Sequence, residues 1–197
     1  TLWPVAYPKP KLGCGRYNRN TAKLGKRNNM ITLYHGSYVK IEKPDVKLGR
    51  KNLDFGPGFY VTNIHEQASS WAKIIASRKG RLTKPYVSIY KFNVSDAIKE
   101  GVRIKRFEEY NIEWLEYVVS CRKGKDISNE YDIVEGGVAN DNVIDTVEDF
   151  EKNLITAEQA LGQLKYKKVN HQMCILNQSV IDKYFTFVDS EEILVED

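Results

Sequence analysis

The sequence has little cysteine and histidine and no long apolar run. Its 197 residues include 3 cysteines and 3 histidines, too few and too scattered to indicate a disulfide framework or a structural zinc site. Reduced thiols in a cytosolic protein are the simplest account of so little cysteine. No run of about 18 apolar residues occurs, which predicts no membrane-spanning segment. The N-terminus also lacks the apolar core and cleavage site of a secretory signal.

Acidic residues are absent from residues 1–29, which contain seven basic residues and three of the 6 prolines. The remaining 168 residues hold 23 basic and 26 acidic residues, so their net charge is −3 although the whole chain is +4. A uniformly basic nucleic-acid-binding domain is therefore excluded as the default class. We predict a flexible basic arm over residues 1–29 and a single folded domain over residues 30–197. An upstream or added expression sequence and an arm that touches an acidic partner both stay open.

Short apolar runs and amphipathic segments alternate through the predicted domain. The patterns predict strands at 31–35, 59–62, 85–94, 102–107, 131–134, 173–176 and 185–188. They predict helices from Asn63 to Gly80 and at 109–121, 143–150, 157–164 and 180–184. Asn63 and Thr156 are the expected N-cap residues of two of these helices. Since strands occur singly and doubly between helices, the fold class is predicted to be α+β with a mixed or largely antiparallel sheet.

Two motifs carry more information than composition does, although GxSxG, Walker and HExxH signatures are absent. One motif is YHGS at residues 34–37, at the end of the first predicted strand. The other is DFGPGFYVT at residues 54–62. Its two glycines flank a proline, and such a loop lets the backbone approach a ligand closely before the chain enters the next strand.

These motifs resemble the ADP-ribosyltransferase superfamily, in the branch whose triad is His, Tyr and Glu or a substitute. More closely, the chain resembles an uncharacterised bacterial domain-of-unknown-function family placed in that superfamily. The segments that carry this resemblance are YHGS, NLDFGPGFYVT, EQASSWA, YDIVEGGVANDNV and NHQMCIL. It covers roughly residues 31–188. The resemblance implies an ADP-ribosyltransferase-like α+β fold, in which a split mixed or antiparallel β-sheet core has flanking helices.

The resemblance also implies a catalytic triad of His35, Tyr60 and Gln172. His35 is expected to hydrogen-bond the adenosine ribose of NAD⁺, and Tyr60 to stack on the nicotinamide ring. Gln172 occupies the position of the usual glutamate, where it keeps a hydrogen bond and loses the negative charge. This departure favours transfer of a single ADP-ribose over chain elongation. Each residue also has a structural interpretation: a satisfied histidine, a half-buried sheet aromatic and a strand-edge amide.

Five further residues are implied to contact NAD⁺. Gly36 would bind the carboxamide of nicotinamide through its main chain. Trp71, eleven residues after the triad tyrosine, would form the second aromatic surface, although its spacing also suits the apolar face of a helix. Arg50 would pair with the pyrophosphate, or it is a solvated loop charge. Ser37 and Gly58 complete the predicted NAD⁺-binding set.

Asp132, Asn140 and Asp141 belong to the YDIVEGGVANDNV segment. One of them is a candidate to orient the acceptor or to act as a base in place of the absent glutamate. Asp and Asn are also common turn residues, which explains them equally well.

The leading functional hypothesis is an NAD⁺-dependent mono-ADP-ribosyltransferase in the cytoplasm, without membrane association, that modifies a protein or nucleic acid. By analogy with free bacterial domains of this kind, a toxin or anti-phage role and a neighbouring antitoxin partner are expected. The alternatives are an NAD⁺ glycohydrolase, an RNA 2′-phosphotransferase-like enzyme, and a catalytically decayed domain that binds a nucleotide or a partner.

Overall fold

Two β-sheets and the helices on their outer faces form the described part of the chain. The computed structural model describes residues 30–125, 130–139, 143–164 and 170–195. Within these residues there are seven strands and six α-helices, which confirms the predicted α+β class. The predicted arm, residues 1–29, lies outside the described residues.

Sheet A has the order β1-β3-β7 and is antiparallel throughout. Its strands are β1 (Met30–Ser37), β3 (Tyr86–Asn93) and β7 (Phe185–Glu192). Sheet B has the order β2-β6-β5-β4, in which the β4–β5 pair is parallel and the other pairs are antiparallel. Its strands are β2 (Phe59–Val61), β4 (Ile104–Arg106), β5 (Ile133–Gly136) and β6 (Gln172–Ile175).

The helices are α1 (His65–Lys79), α2 (Val94–Lys99), α3 (Ile112–Arg122), α4 (Ile144–Glu151), α5 (Ala157–Leu164) and α6 (Gln178–Tyr184). A single 3-10 turn, Val46–Leu48, lies in the connection from β1 to β2. None of the described helices is long and apolar enough to cross a membrane.

The two sheets meet at one bridge between β1 and β2. Tyr34 and Thr62 exchange two main-chain hydrogen bonds there, of 2.8 and 3.0 Å. Apolar side chains of both sheets fill the space between them, including Leu33, Phe59 and Ile175. The bridge therefore sets how the sheets are joined, and the apolar layer holds them face to face.

Each sheet covers its outer face with helices. Helix α1 lies on sheet A, where its small residues Ala68 and Ala72 are buried against the strand residue Val87. Helix α3 lies on the outer face of sheet B through Trp114 and Val118, which are fully buried. Both sheets therefore have helices on one face and the shared apolar layer on the other.

Two helix starts test the N-cap predictions. The first turn of α5 has reciprocal bonds between Thr156 and Gln159: the Gln159 N–H donates to Thr156 Oγ1, and the Thr156 N–H donates to Gln159 Oε1. This confirms Thr156 as a capping residue. The prediction for Asn63 is wrong, because Ile64 is the N-cap of α1. Thr62 Oγ1 accepts the Ile64 N–H instead.

The thiols that the structure describes are enclosed. Cys121 and Cys174 are both free and buried, whereas Cys14 lies outside the described residues. Burial raises the pKa of Cys121 to about 12. These two thiols therefore stay protonated at neutral pH and act as small apolar residues of the core.

Candidate functional site

The sheets separate directly after the bridge, at Gly36. Because the main-chain groups of Tyr34 point toward β2, strand alternation points those of Gly36, two residues later, the same way. By the same register Gly36 faces Tyr60 of β2. No main-chain hydrogen bond joins these two residues in the described part of the chain. The Gly36 N–H and C=O therefore face a split between β1 and β2.

The absence of a side chain at Gly36 is required by helix packing. A Cβ at this position would lie 2.0 Å from the Ala68 carbonyl oxygen and 2.9 Å from the Ala72 nitrogen, both main-chain atoms of α1. The α1 backbone therefore lies directly on β1. Helix packing alone therefore accounts for a glycine at this position, and no ligand is needed to explain it. The Gly36 N–H and C=O still face the split.

The His35 side chain lies on the inner side of this split. Its Nδ1 is 2.6 Å from the Tyr60 carbonyl oxygen, and its ring stacks on Phe59 with centroids 4.6 Å apart. A carbonyl only accepts, so Nδ1 carries the proton. Burial lowers the pKa of His35 and outweighs the opposite effect of the Tyr60 carbonyl. At neutral pH the ring is therefore neutral, with Nε2 as an acceptor.

The Tyr60 ring lies on the outer face of sheet B and is tied to the glycine loop. Its hydroxyl accepts the Phe55 N–H at 3.0 Å and donates to the Gly56 carbonyl at 2.7 Å. Gly56 has φ +83°, a left-handed conformation that suits glycine. Burial is the main cause of a Tyr60 pKa well above its usual value. Tyr60 thus positions the loop and offers a ring, but it does not exchange protons at neutral pH.

Gln172 opens β6 on the same face of sheet B as Tyr60. Tyr60 is paired with Cys174, so Gln172 is its diagonal neighbour, roughly 7–8 Å away in strand geometry. The Gln172 side chain is buried, and its Nε2 donates to Asp54 Oδ2 at 3.3 Å and to the Gly137 carbonyl at 3.4 Å. Gln172, Tyr60 and Gly36 therefore share one continuous face across the bridge, while the His35 ring lies behind it.

Asp54 lies at the candidate site as well, although the sequence did not single it out. Its Oδ1 accepts Arg122 Nε and Nη2 at 3.0 and 2.7 Å, and its Oδ2 accepts the Ala139 N–H at 2.9 Å as well as the Gln172 amide. These partners are 68, 85 and 118 residues away in sequence. Its place in the glycine-rich motif was the one local signal, and that motif indicates a loop rather than this network.

Trp71 lies on a flank of α1 that faces sheet B. Gln67, one turn earlier, donates its Nε2 to the His171 carbonyl at 2.8 Å, just before β6. Residues four apart on a helix are neighbours, so Trp71 lies on the same flank as Gln67. Its side chain is 41% exposed, which argues against a core role and leaves the ring available to a ligand.

The other three predicted NAD⁺-binding residues have different surroundings. Arg50 is exposed in the loop before β2. Gly58 packs against β6, where a Cβ would lie 2.6 Å from the Cys174 sulfur and from the Ile175 carbonyl. Ser37 is buried at the end of β1, and strand alternation places its side chain on the inner face.

Asp132 lies at the opposite end of sheet B from Gln172. It precedes β5, whose last residue, Gly136, pairs with Gln172, so about 13 Å of strand separates the two ends. Arg103 and Asn177 donate to its carboxylate, and with the Arg103 bonds as the largest cause its pKa falls to about 2. It therefore ties loops together away from the split. Asn140 and Asp141 lie outside the described residues.

A small cavity opens on the other side of the start of β6. It has a volume of about 150 Å³ and is lined by Arg106, Phe107, Glu108, Glu135, Gly136, Asn170 and His171. Glu135 accepts His171 Nε2 at 2.8 Å and Arg106 Nε at 2.9 Å. Burial alone would raise the Glu135 pKa, but these bonds outweigh it and the pKa is lowered. Within the residues that the structure describes, no group of three or more His, Cys, Asp or Glu side chains is placed to hold a metal ion.

Comparison with known proteins yields a family and nothing finer. No curated protein and no solved structure matches the chain. The model of one family, described as "Protein of unknown function (DUF3990)", matches residues 31–187. This match confirms the predicted kinship with an uncharacterised family and covers the whole region from β1 into β7. The chain therefore belongs to this family of proteins of unknown function.

Proposed function

We propose that the chain cleaves the nicotinamide–ribose bond of NAD⁺ and transfers the ADP-ribose to a macromolecule. The observation that carries the proposal is the split after the Tyr34–Thr62 bridge, into which the Gly36 N–H and C=O point. A carboxamide offers an acceptor oxygen and N–H donors side by side, so it complements both groups. Nicotinamide is the part of NAD⁺ that carries such a carboxamide.

Aromatic surface next to the split supports the same ligand. Tyr60 faces Gly36 across the split, and its hydroxyl is held by the glycine loop. Trp71 lies on the flank of α1 that turns toward β6 and exposes 41% of its surface. A flat cationic ring gains both stacking and cation–π energy against such side chains.

Gln172 is the proposed partner of the ribose. Its Nε2 donates to the Asp54 carboxylate and to the Gly137 carbonyl, and these two bonds orient the amide so that Oε1 points away from them. An amide oxygen accepts a ribose hydroxyl bond, but it stabilises the developing positive charge less than a carboxylate would. His35 Nε2 is a second acceptor at the inner edge of the split. This arrangement suits slow, single transfer.

The proposed reaction needs no further reagent. The C1′–N bond breaks and its electron pair leaves with nicotinamide as a neutral molecule. The acceptor nucleophile forms the new bond to C1′ and loses its proton to solvent. The toxin role and the antitoxin partner stay predictions that depend on the resemblance.

The test is incubation of the purified chain with adenine-labelled NAD⁺ and a cell lysate. We expect nicotinamide release and transfer of label to macromolecules. His35→Ala should lower both rates by about 10- to 100-fold. His65→Ala is the matched control, because His65 is also a part-buried, hydrogen-bonded histidine but pairs with Glu191 on the opposite flank of α1.

Four outcomes contradict the proposal. Label transfer that persists in the His35→Ala, Tyr60→Phe double variant would show that the chemistry occurs elsewhere. Nicotinamide release without label transfer would show hydrolysis by water instead of transfer. Calorimetry that detects no NAD⁺ binding, or binding without any cleavage, would remove the enzymatic assignment.

A further inference from the structure

We propose that Asp54 is the positioning residue of this site, and that glutamine is the working residue at position 172 because Asp54 lies against it. The inference rests on the proposed function. It concerns which end of the Gln172 amide faces the ribose, and it assigns a role to a carboxylate outside the predicted triad.

Hydrogen-bond chemistry determines the orientation of the Gln172 amide. The two groups within reach of its Nε2 are the Asp54 carboxylate at 3.3 Å and the Gly137 carbonyl at 3.4 Å. Both are acceptors, so the NH₂ end must point at them. The carbonyl end therefore points away from both groups and is the end left for the ribose.

Asp54 is held in place from two other segments. Arg122 at the end of α3 donates two bonds to Oδ1, and the Ala139 N–H after β5 donates to Oδ2. The side chains of Arg122 and Asp54 are only 17% and 11% exposed. A carboxylate fixed by three donated bonds offers its remaining acceptor capacity in a single direction, which is where the Gln172 amide lies.

Glutamate would not fit this position. A carboxylate at residue 172 would face the Asp54 carboxylate and the Gly137 carbonyl with no donor of its own. Two carboxylates this close share a proton rather than ionise together. The usual triad residue is therefore incompatible with Asp54, and glutamine here is an adaptation to the network rather than a lost function.

The neighbour of position 172 in the chain, His171, turns its imidazole to the other face of β6, where it binds Glu135, so a different set of groups faces position 172. The titratable or charged groups that face it are Asp54 from the loop, Arg122 from α3, Tyr60 from β2, Tyr110 before α3 and Cys174 on its own strand. Burial raises the pKa of both tyrosines and of the thiol, so these stay neutral. A new titration in a Gln172→Glu variant therefore reports the pair of residues 54 and 172.

The experiment compares Gln172→Glu, Asp54→Asn and the double variant Asp54→Asn, Gln172→Glu, with Asp132→Asn as the matched control at the other Asp–Arg pair. At neutral pH we expect Gln172→Glu to lower kcat for nicotinamide release by about 10- to 100-fold. Its activity should rise as the pH falls, because a shared proton restores the missing donor. The double variant should recover part of the loss, since the amide introduced at position 54 can donate to the carboxylate introduced at position 172 while giving up the bond that Asp54 Oδ2 accepts from the Ala139 N–H. Asp132→Asn should be unchanged.

Two results would overturn the inference. One is a Gln172→Glu protein that is as active as wild type at neutral pH. The other is a double variant no better than Gln172→Glu at any pH. Circular dichroism of each variant distinguishes these results from misfolding.

The experiments distinguish a failure of the proposed function from a failure of the contact between residues 54 and 172. A wild-type chain that does not cleave NAD⁺ would end the catalytic part of the inference, but the contact would still be tested by unfolding. Because Asp54 raises the pKa of a carboxyl at 172, the stability of Gln172→Glu relative to wild type should fall as the pH rises from about 5 to 8. The double variant should lack this slope, and a Gln172→Glu protein without it would show that the two side chains do not interact.

Discussion

Sheet B has an aspartate–arginine pair at each end, and the two pairs differ in what they leave available. Asp132 and Arg103 lie at one end, Asp54 and Arg122 at the other. The two aspartates are equally enclosed, at 11% exposure, but Arg103 is 51% exposed and Arg122 only 17%. The arginine of the Asp132–Arg103 pair is therefore open to solvent, whereas both side chains of the Asp54–Arg122 pair are enclosed.

The partners of each aspartate show what each pair does. Asp132 accepts bonds from Arg103 and Asn177, and these join the loops that flank β4, β5 and β6 at the end of the sheet away from the split. Asp54 uses the same chemistry to hold the Nε2 of Gln172, at the end of the sheet that carries the candidate site. The same ion pair is thus structural at one end and part of the candidate site at the other.

The largest expected effect is on stability at the enclosed pair. Asp54→Ala leaves the Arg122 charge largely buried without its partner, and such a loss costs about 3–5 kcal/mol of unfolding free energy. Asp132→Ala should cost less, because Arg103 can be hydrated in place. Urea denaturation of both variants measures the difference. Equal losses at the two ends would contradict the comparison.

An intermediate effect is expected from acid at the open pair. Asp132 has a pKa of about 2 in the folded chain, against 3.8 when unperturbed. A lowered carboxyl pKa stabilises the fold above its unfolded value, and this is lost as the pH falls from about 4 to 2. Wild type should therefore lose up to about 2 kcal/mol more than Asp132→Asn over this range. Thermal melts of the two proteins at several pH values measure this difference, and stability curves that run parallel would contradict the prediction. As a control, NAD⁺ cleavage at neutral pH should be the same in both proteins.

The smallest expected effect comes from salt. At about 1 M NaCl the screening length is about 3 Å, and exposed charges lose most of their interaction. The coupling energy of Asp132 with Arg103, measured by a double-mutant cycle, should fall by a few tenths of a kcal/mol. That of Asp54 with Arg122 should stay constant. A drop at the enclosed pair as large as that at the open pair would show that both are exposed in solution.

Local patterns were enough to predict most strands and helices. Alternation marked β3, and apolar spacing marked α1 and α3, since these signals lie within the segments themselves. Helix α2 was missed because its six residues are too few to show a helical period. The start of α1 was placed one residue early, because Asn63 is a good capping residue by type and Thr62 takes the bond instead.

The candidate site was less accessible to sequence reasoning. The motifs indicated Gly36, Tyr60 and Gln172, and the structure brings these to one face. What could not be predicted is the direction in which each side chain points. His35 stacks on Phe59 between the sheets, and the long-range partners of Asp54 depend on how α3 and β6 pack.

The pairing of β2 has a consequence for the timing of synthesis. Apart from the Thr62 bridge, the strand of the described chain that pairs with β2 along its length is β6, which begins at Gln172. While the chain is being translated, Tyr60 and Asp54 emerge long before the strand that completes their surroundings. A product that stops short of β6 would lack Gln172 and also the strand against which Tyr60 is held. The surroundings of Tyr60 can therefore be completed only after β6 has been synthesised.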